Sequence, residues 1–331
     1  MILLRAVKSW VKKLLLSTRF SRLLLSHLNR RLRPHNVVTE YRAYLAEEPV
    51  SRLMHNGNAI YLYPSDHKAQ MYFSGSAFDD AVYQLWCKYA PLSRYVFDIG
   101  ANYGQFTLAP VTKADRGQVE VIFTFEPNPK LARALALSIA QSELDDVVLL
   151  VEKGVSNELG TASFTLNLHS SGGSSLDEDV AVNPLTGRYV HKIDIALTDL
   201  AGAEELQPYD FADASIAMKI DVEGHDFYAL EGAASILNEA SDLFVVVEAD
   251  YQSYRYYFHD GNRPPAAGVV ELFDKSQVYC VCSNVFEEVR SLSELGALLH
   301  GKKGCVDLIF TSSPLQADTD MNSAIGKRIE Q

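Results

Sequence analysis

Three short stretches of the chain hold side chains able to do chemistry, and each lies where an apolar run gives way to a turn. In the first, Val96-Phe97-Asp98-Ile99-Gly100-Ala101-Asn102-Tyr103-Gly104, a strand ends in Asp-x-Gly-x-x-x-Gly and enters a helix beginning near Gln105. Glycines at such a turn let the backbone approach a ligand and present the N–H groups of the helix start. A dinucleotide fingerprint would read Gly-x-Gly-x-x-Gly with no acid before it. Here Asn102 stands in place of a central glycine, and Asp98 precedes the first glycine by two positions. A carboxylate there repels a pyrophosphate and attracts an ammonium or sulfonium group, which favours S-adenosylmethionine over NAD.

The second stretch, Val121-Ile122-Phe123-Thr124-Phe125-Glu126-Pro127-Asn128, puts a carboxylate at the end of the next strand, where it can accept hydrogen bonds from ribose hydroxyls. The plainer role for Glu126 is to complement the helix that follows, with Pro127 near its first turn. The third, Met218-Lys219-Ile220-Asp221-Val222-Glu223-Gly224-His225-Asp226, brings two carboxylates and an imidazole to the carboxyl edge of the sheet. Asp221, Glu223 and His225 are the candidates for removing a proton from a hydroxyl, and a helix N-terminus would keep His225 neutral for that task. Alternatively Asp221 and Glu223 cap helix N–H groups and His225 is a solvated first-turn residue. Glu248 or Asp250 could join Asp221 around Mg²⁺, but no dedicated ligand spacing is visible and no metal is assigned.

The elements that must position these groups can be read from hydropathy. Short runs at Tyr95–Ile99, Val119–Phe125, Val147–Val151, Ile216–Ile220, Leu243–Val247, Val278–Cys282 and Val306–Phe310 alternate with helical stretches. That pattern predicts a mainly parallel sheet buried on both faces in an α/β fold. A hairpin is expected over Thr161–Leu168 and His191–Leu197, and a helix over Ala77–Tyr89. The tyrosine-rich segment Asp250–His259 follows a strand end and should overhang the ligand edge, as a platform for sugar faces or apolar rings, or as a lid or subunit contact with no substrate role. Cys280 and Cys282 share one face of a strand and read as buried packing.

Together the three stretches resemble the FkbM family of S-adenosylmethionine-dependent methyltransferases, with Leu230-Glu231-Gly232-Ala233, Gly154-Val155-Ser156 and Gly173-Ser174-Ser175-Leu176 as further matches. The likeness covers roughly residues 72–311. It implies a class I methyltransferase (Rossmann-like) fold with a seven-stranded sheet, helices on both faces and the last-formed hairpin antiparallel. It also implies O-methylation of a glycan or polyketide-like hydroxyl, with S-adenosyl-L-methionine as cofactor. Carried onto this chain, Asp98, Gly100, Asn102 and Gly104 would line the methionine end of the cofactor. Glu126 would hold the ribose, with Asn128 of the same motif beside it, Val155 would lie near the adenine, and Asp221 would sit at the transfer centre. Pro110 departs from the pattern and should kink the first helix. Two alternatives remain open: an NAD-dependent oxidoreductase, and an inactive methyltransferase-like module tethered to a membrane.

Charge divides the 331 residues unequally: 30 Lys+Arg against 42 Asp+Glu give −12 overall. Residues 1–39 hold nine Lys/Arg and no acid, so the rest carries 21 basic against 42 acidic residues, or −21. Such a body is ill matched to nucleic acid. The expected organisation is a basic amphipathic arm (1–35), a cap or lid region (36–90), a methyltransferase domain (91–312) and a polar tail (313–331). The arm has no run long enough to span a bilayer. It reads as a helix on an anionic membrane surface, a helix packed on the body or on a second subunit of a homo-oligomer, or a transit peptide. Four cysteines make no disulfide framework, which fits a cytoplasmic protein, with contact to the inner face of a membrane through residues 1–33 as one arrangement.

Overall fold

The computed structural model describes residues 37–54, 56–78, 80–181, 189–260, 264–283, 285–301 and 305–315; the basic arm and all but three residues of the tail lie outside them. The chain opens with α1 (Val37–Ala46), the hairpin β1 (Val50–Leu53) and β2 (Ala59–Leu62), then α2 (His67–Ser74) and α3 (Ala81–Tyr89). The first sheet units follow as β3 (Tyr95–Ile99), α4 (Gln105–Leu108), β4 (Val121–Phe125), α5 (Pro129–Gln141) and β5 (Val148–Val151). A side sheet uses β6 (Gly154–Val155), β7 (Gly160–Asn167) and β8 (Val190–Thr198), with the short α6 (Glu178–Ala181) between the last two. The chain then returns through β9 (Ser215–Ile220), α7 (Asp226–Glu239), β10 (Asp242–Ala249), α8 (Tyr251–Arg255), α9 (Ala267–Lys275), β11 (Gln277–Cys282), β12 (Val285–Val289), α10 (Leu292–Gly301) and β13 (Val306–Thr311).

The main sheet has the order β12-β11-β13-β10-β9-β3-β4-β5. The pairs β3–β4, β4–β5, β3–β9 and β9–β10 are parallel, whereas β13 lies antiparallel between β10 and β11. This order, with its reversal beside β3 and its inserted antiparallel strand, is the class I methyltransferase topology. The sheet has eight strands instead of the expected seven. The extra strand, β12, pairs with β11 alone across a turn at Ser283, whose φ is 50°. Val285-Phe286-Glu287-Glu288-Val289 carries adjacent glutamates and is only partly buried, so it has the composition of an edge strand and shows no continuous apolar run.

Every residue of β3 is buried, as a strand covered on both faces requires. Phe97 and Ile99 pack with Met218, Ile220 and Phe227 on one side. Val96 packs with Ile122, Ala217 and Leu135 on the other. This second face is covered by α5 together with the N-terminal segment, whose Ile60, Tyr72, Tyr83 and Trp86 belong to the same core. The predicted helix over Ala77–Tyr89 begins only at Ala81, where the Asp80 carboxylate accepts the Val82 N–H at 2.7 Å.

Pro110 does not kink a long helix; α4 is a single turn that stops before it. Proline offers no N–H to the Phe106 carbonyl four residues back. The Trp86 indole N–H donates to that oxygen instead, at 2.9 Å. Asn58 Nδ2 donates to the carbonyls of Leu108 and Val111, each at 2.7 Å, so N-terminal side chains satisfy the loop that the proline leaves open. Among the described residues no helix is long and apolar enough to cross a membrane.

Candidate active site

The carboxyl ends of β3, β4 and β9 converge on a cleft of about 640 Å³. Gly100, Asn102, Glu126, Asn128, Val155, Asp221 and Glu223 all lie on its wall. The turn after β3 is shaped by two glycines at positive φ, 81° at Gly100 and 85° at Gly104. A Cβ on Gly100 would lie 2.0 Å from the Asp221 carbonyl oxygen, and one on Gly104 would lie 2.3 Å from Leu135 Cδ1. Both glycines are therefore demanded by protein atoms. Gly100 lets the β3 and β9 turns touch, and Gly104 lets α5 pack on the turn.

Glu126 ties the turns together: its Oε2 accepts the Asn102 N–H at 2.7 Å and its Oε1 the Asn128 N–H at 2.8 Å. Each oxygen keeps a lone pair for a ligand hydroxyl. Burial pushes this carboxyl up to about 7 against those two hydrogen bonds. Asn128 caps α5, accepting the Lys130 N–H at 3.1 Å, and its amide donates to the Tyr44 hydroxyl at 2.9 Å. Val155 joins Leu131, Phe164, Leu176 and Ile195 in an apolar slot at the other end of the cleft.

Asp98 sits behind this wall and not on it. It is buried, and its Oδ2 accepts the Thr107 hydroxyl at 2.6 Å, so it fixes α4 to the end of its own strand. Burial raises its carboxyl to about 6. The acids that face the cleft are Glu126, Asp221 and Glu223, and the charge argument against a pyrophosphate passes to them.

A second cavity, about 750 Å³, lies beyond Lys68 and Asp221, which line both. Glu248, Asp307, Lys219, Asp80 and Gln105 supply its polar wall, with Tyr72, Tyr83 and Phe106 as aromatic edges. Lys68 comes from α2, whose position is set by Asp66. That carboxylate accepts the Lys68 N–H at 2.9 Å, the Ser171 N–H at 3.0 Å and the Tyr103 hydroxyl at 2.6 Å.

Electrostatics at the junction are strongly coupled. Burial opposes ionisation of Asp221, yet the ammonium groups of Lys219 and Lys68 and a hydrogen bond from Glu248 outweigh it and hold the carboxyl below its usual range. Glu248 is pushed well up, first by the Asp221 charge and then by burial, so it is the protonated partner of the pair. Burial and then the Asp221 charge drive Glu223 up to about 8. Burial alone would lower Lys68 and Lys219, but the surrounding carboxylates raise both, and they stay charged. With lysines seated among the acids, the cluster is already neutralised by protein. Among the described residues no group of His, Cys, Asp and Glu is arranged to hold a metal ion.

The three proposed proton acceptors part company in space. Asp221 faces both cavities, Glu223 only the first, and His225 is on the wall of neither. His225 Nε2 pairs with Ser156 Oγ at 2.9 Å, and its ring stacks on Tyr228 at 4.6 Å. Burial lowers the imidazole to about 4, against the opposing charge of Asp177. The loop Asp221–Gly224 is folded by Asp226, whose carboxylate accepts the N–H groups of Val222 at 2.8 Å and Gly224 at 3.0 Å. The tyrosine-rich segment also points elsewhere. Tyr254 and Tyr257 are buried against Phe227, and their hydroxyls donate to the Leu292 carbonyl and to Glu231. Lys68, Lys219 and Asp307 escaped the sequence reading as site residues. Only Lys219 carried a signal, being an ammonium inside an otherwise apolar strand.

The family model "Methyltransferase FkbM domain" matches residues 98–297, well over half of the chain. The chain belongs to the FkbM methyltransferase family. It is similar to the hexuronic acid methyltransferase AglP of Haloferax volcanii, with 24% identity over 157 residues, covering 46% of this chain and 54% of that one. The chain thus spans about half the length of that curated relative. Among solved structures it is similar to methyltransferase FkbM from Methylobacillus flagellatus (14% identity, 66% of this chain and 43% of that chain, TM-score 0.37). It is also similar to an O-methyltransferase from Bacillus cereus in complex with SAH (12% identity, 86% and 96% covered, TM-score 0.34). For an FkbM chain the first cleft fits S-adenosylmethionine. It offers an apolar slot at Val155, a carboxyl with free lone pairs at Glu126 and an ionised carboxylate at Asp221.

Proposed function

We propose that this chain transfers a methyl group from S-adenosylmethionine to an oxygen of a glycan or polyketide-like acceptor. The observation that carries the reading is that Asp221 and Lys68 line both cavities, so one ionised carboxylate reaches a ligand on either side. When bound, S-adenosylmethionine supplies a methyl group on a sulfonium: an acceptor lone pair forms the C–O bond, the C–S pair returns to sulfur, and the hydroxyl proton leaves. The chain contributes position and charge. Glu126 and the slot at Val155 orient the nucleoside, while the ionised Asp221 favours a cation at the junction. Asp221 then takes the hydroxyl proton, for which a position within about 3 Å of the oxygen is needed. The ionised Asp221 on the cleft wall counts against an NAD-type ligand, whose pyrophosphate it would repel. The name of the Haloferax volcanii relative supports a sugar among the acceptors.

Calorimetric titration with S-adenosylmethionine, paired with turnover on a panel of hydroxylated sugars, tests the reading. Asp221→Asn is expected to keep donor affinity within about tenfold and to cut turnover by about 10²–10⁴. Turnover unchanged in this variant, or a wild type that does not bind the donor, would overturn it.

A further inference from the structure

The second cavity holds an unusual cation. Lys219 lies on β9 and is 3% exposed. Its ammonium has the Ile220 carbonyl at 3.3 Å, Asp307 Oδ1 at 3.5 Å and Asp221 Oδ2 at 3.8 Å. All three exceed the roughly 2.7–2.9 Å of a full charge-assisted hydrogen bond. A buried ammonium normally closes on its partners, because unspent donors cost free energy. Here the carboxylates stand back, the Phe106 ring lies 5.5 Å from the ammonium, and Lys219 lines a cavity whose wall Asp221 shares with the cleft.

We propose that this cavity is the acceptor subsite, that it takes a neutral hydroxyl-bearing sugar ring, and that Lys219 donates to the acceptor oxygen while Asp221 accepts its proton. The proposal rests on the methyltransferase reading above. Charge supports a neutral ligand. The ammonium groups of Lys68 and Lys219 face four acids, Asp80, Asp221, Glu248 and Asp307, of which Asp221 is held ionised and Glu248 protonated. Acids outnumber bases on this wall, which disfavours an anion, while several donors and acceptors remain for hydroxyls. The rings of Tyr72, Tyr83 and Phe106 suit the apolar faces of a sugar. A hydrocarbon acceptor would leave the polar wall unpaired. During transfer Lys219 keeps its protons. Its charge eases proton loss from the hydroxyl, and the proton moves to the Asp221 carboxylate as the C–O bond forms.

The test uses the full chain loaded with S-adenosylhomocysteine. Saturation-transfer NMR reads binding of methyl glucoside, methyl galactoside, methyl mannoside and methyl glucuronoside. At least one neutral glycoside should bind the wild type. Lys219→Met should weaken it by about 10- to 100-fold, as loss of a hydrogen bond from a charged donor does. Ser76→Trp, at an exposed position on the cavity rim, should block the sugar and leave S-adenosylmethionine affinity unchanged. It decides the matter if Lys219→Met fails to fold. Donor binding with no bound sugar in the wild type, a preference for the glucuronoside, or undiminished sugar binding in Ser76→Trp or folded Lys219→Met would overturn the subsite alone. A wild type that binds no donor would overturn the methyltransferase reading beneath it.

Discussion

The two cavities share a wall but are made differently. The cleft at Glu126 is built from turns: backbone N–H groups on a carboxylate at 2.7 and 2.8 Å, a capping asparagine, and a glycine that admits a neighbouring carbonyl. The cavity at Lys219 is built from side chains of α2, α3, β9, β10 and β13, separated by ion-pair distances of 3.5 and 3.8 Å. Short, saturated contacts fix a shape for one constant ligand. Long, unsaturated ones leave room for a ligand to complete them. On the proposed assignment the donor site lies in the fold's own hydrogen bonding and the acceptor site in replaceable side chains.

The largest effect should come where the two constructions touch. Gly100→Ala puts a Cβ at positive φ against the Asp221 carbonyl and should destabilise the protein by about 3 kcal/mol, a fall in Tm of roughly 6–12 °C. A melt within about 2 °C of wild type would show that the junction is soft and that the contrast in rigidity is wrong.

A smaller effect concerns pH. Glu223, Glu126, Asp226 and Asp98 are raised in the fold to about 8, 7, 7 and 6, chiefly by burial. The folded protein thus holds protons that the unfolded chain has lost. The stability these four groups contribute is full below their unfolded values near pH 4 and drains away as pH rises toward about 8. A cationic donor stabilises the charged carboxylates and should release protons on binding. Calorimetry near pH 7 in buffers of different ionisation enthalpy would detect this, and an enthalpy independent of buffer would contradict the electrostatic account of the cleft.

The smallest effect is expected at His225, outside both cavities. His225→Ala loses the Ser156 hydrogen bond and the Tyr228 stack, worth about 1–2 kcal/mol of stability, while turnover stays within about threefold. A loss of turnover beyond about 100-fold with donor affinity intact would make His225 the base after all and displace Asp221.

What was legible in the sequence divides along the same line. The strands, the α/β class and the residues at Gly100, Glu126 and Asp221 could be read because their signals are local: apolar runs ending in turn chemistry within nine residues. Asp98 belongs to the same motif but serves the turn from behind, since strand alternation points its side chain to the α4 side. His225 was drawn in by proximity along the chain, yet the Gly224 turn and the start of α7 swing it toward Ser156. Lys68 and Asp307 could not be found this way. They lie 153 residues before and 86 after Asp221, and only tertiary packing brings them together. In the tyrosine-rich segment Tyr254 and Tyr257 pack helices while Tyr256 is exposed, a division that aromatic residues after a strand end do not reveal by type alone.

Asp66 has a consequence for timing. Its carboxylate joins α2 to the Ser171 loop and to Tyr103, and the Ser171 hydroxyl in turn donates to Asn102 in the donor cleft. The ammonium carried by α2 stands on both walls. Any factor by which one ligand changes the affinity of the other across this wall is returned in full, whichever enters first. Substrates that meet across such a shared partition are thermodynamically linked before any bond changes hands.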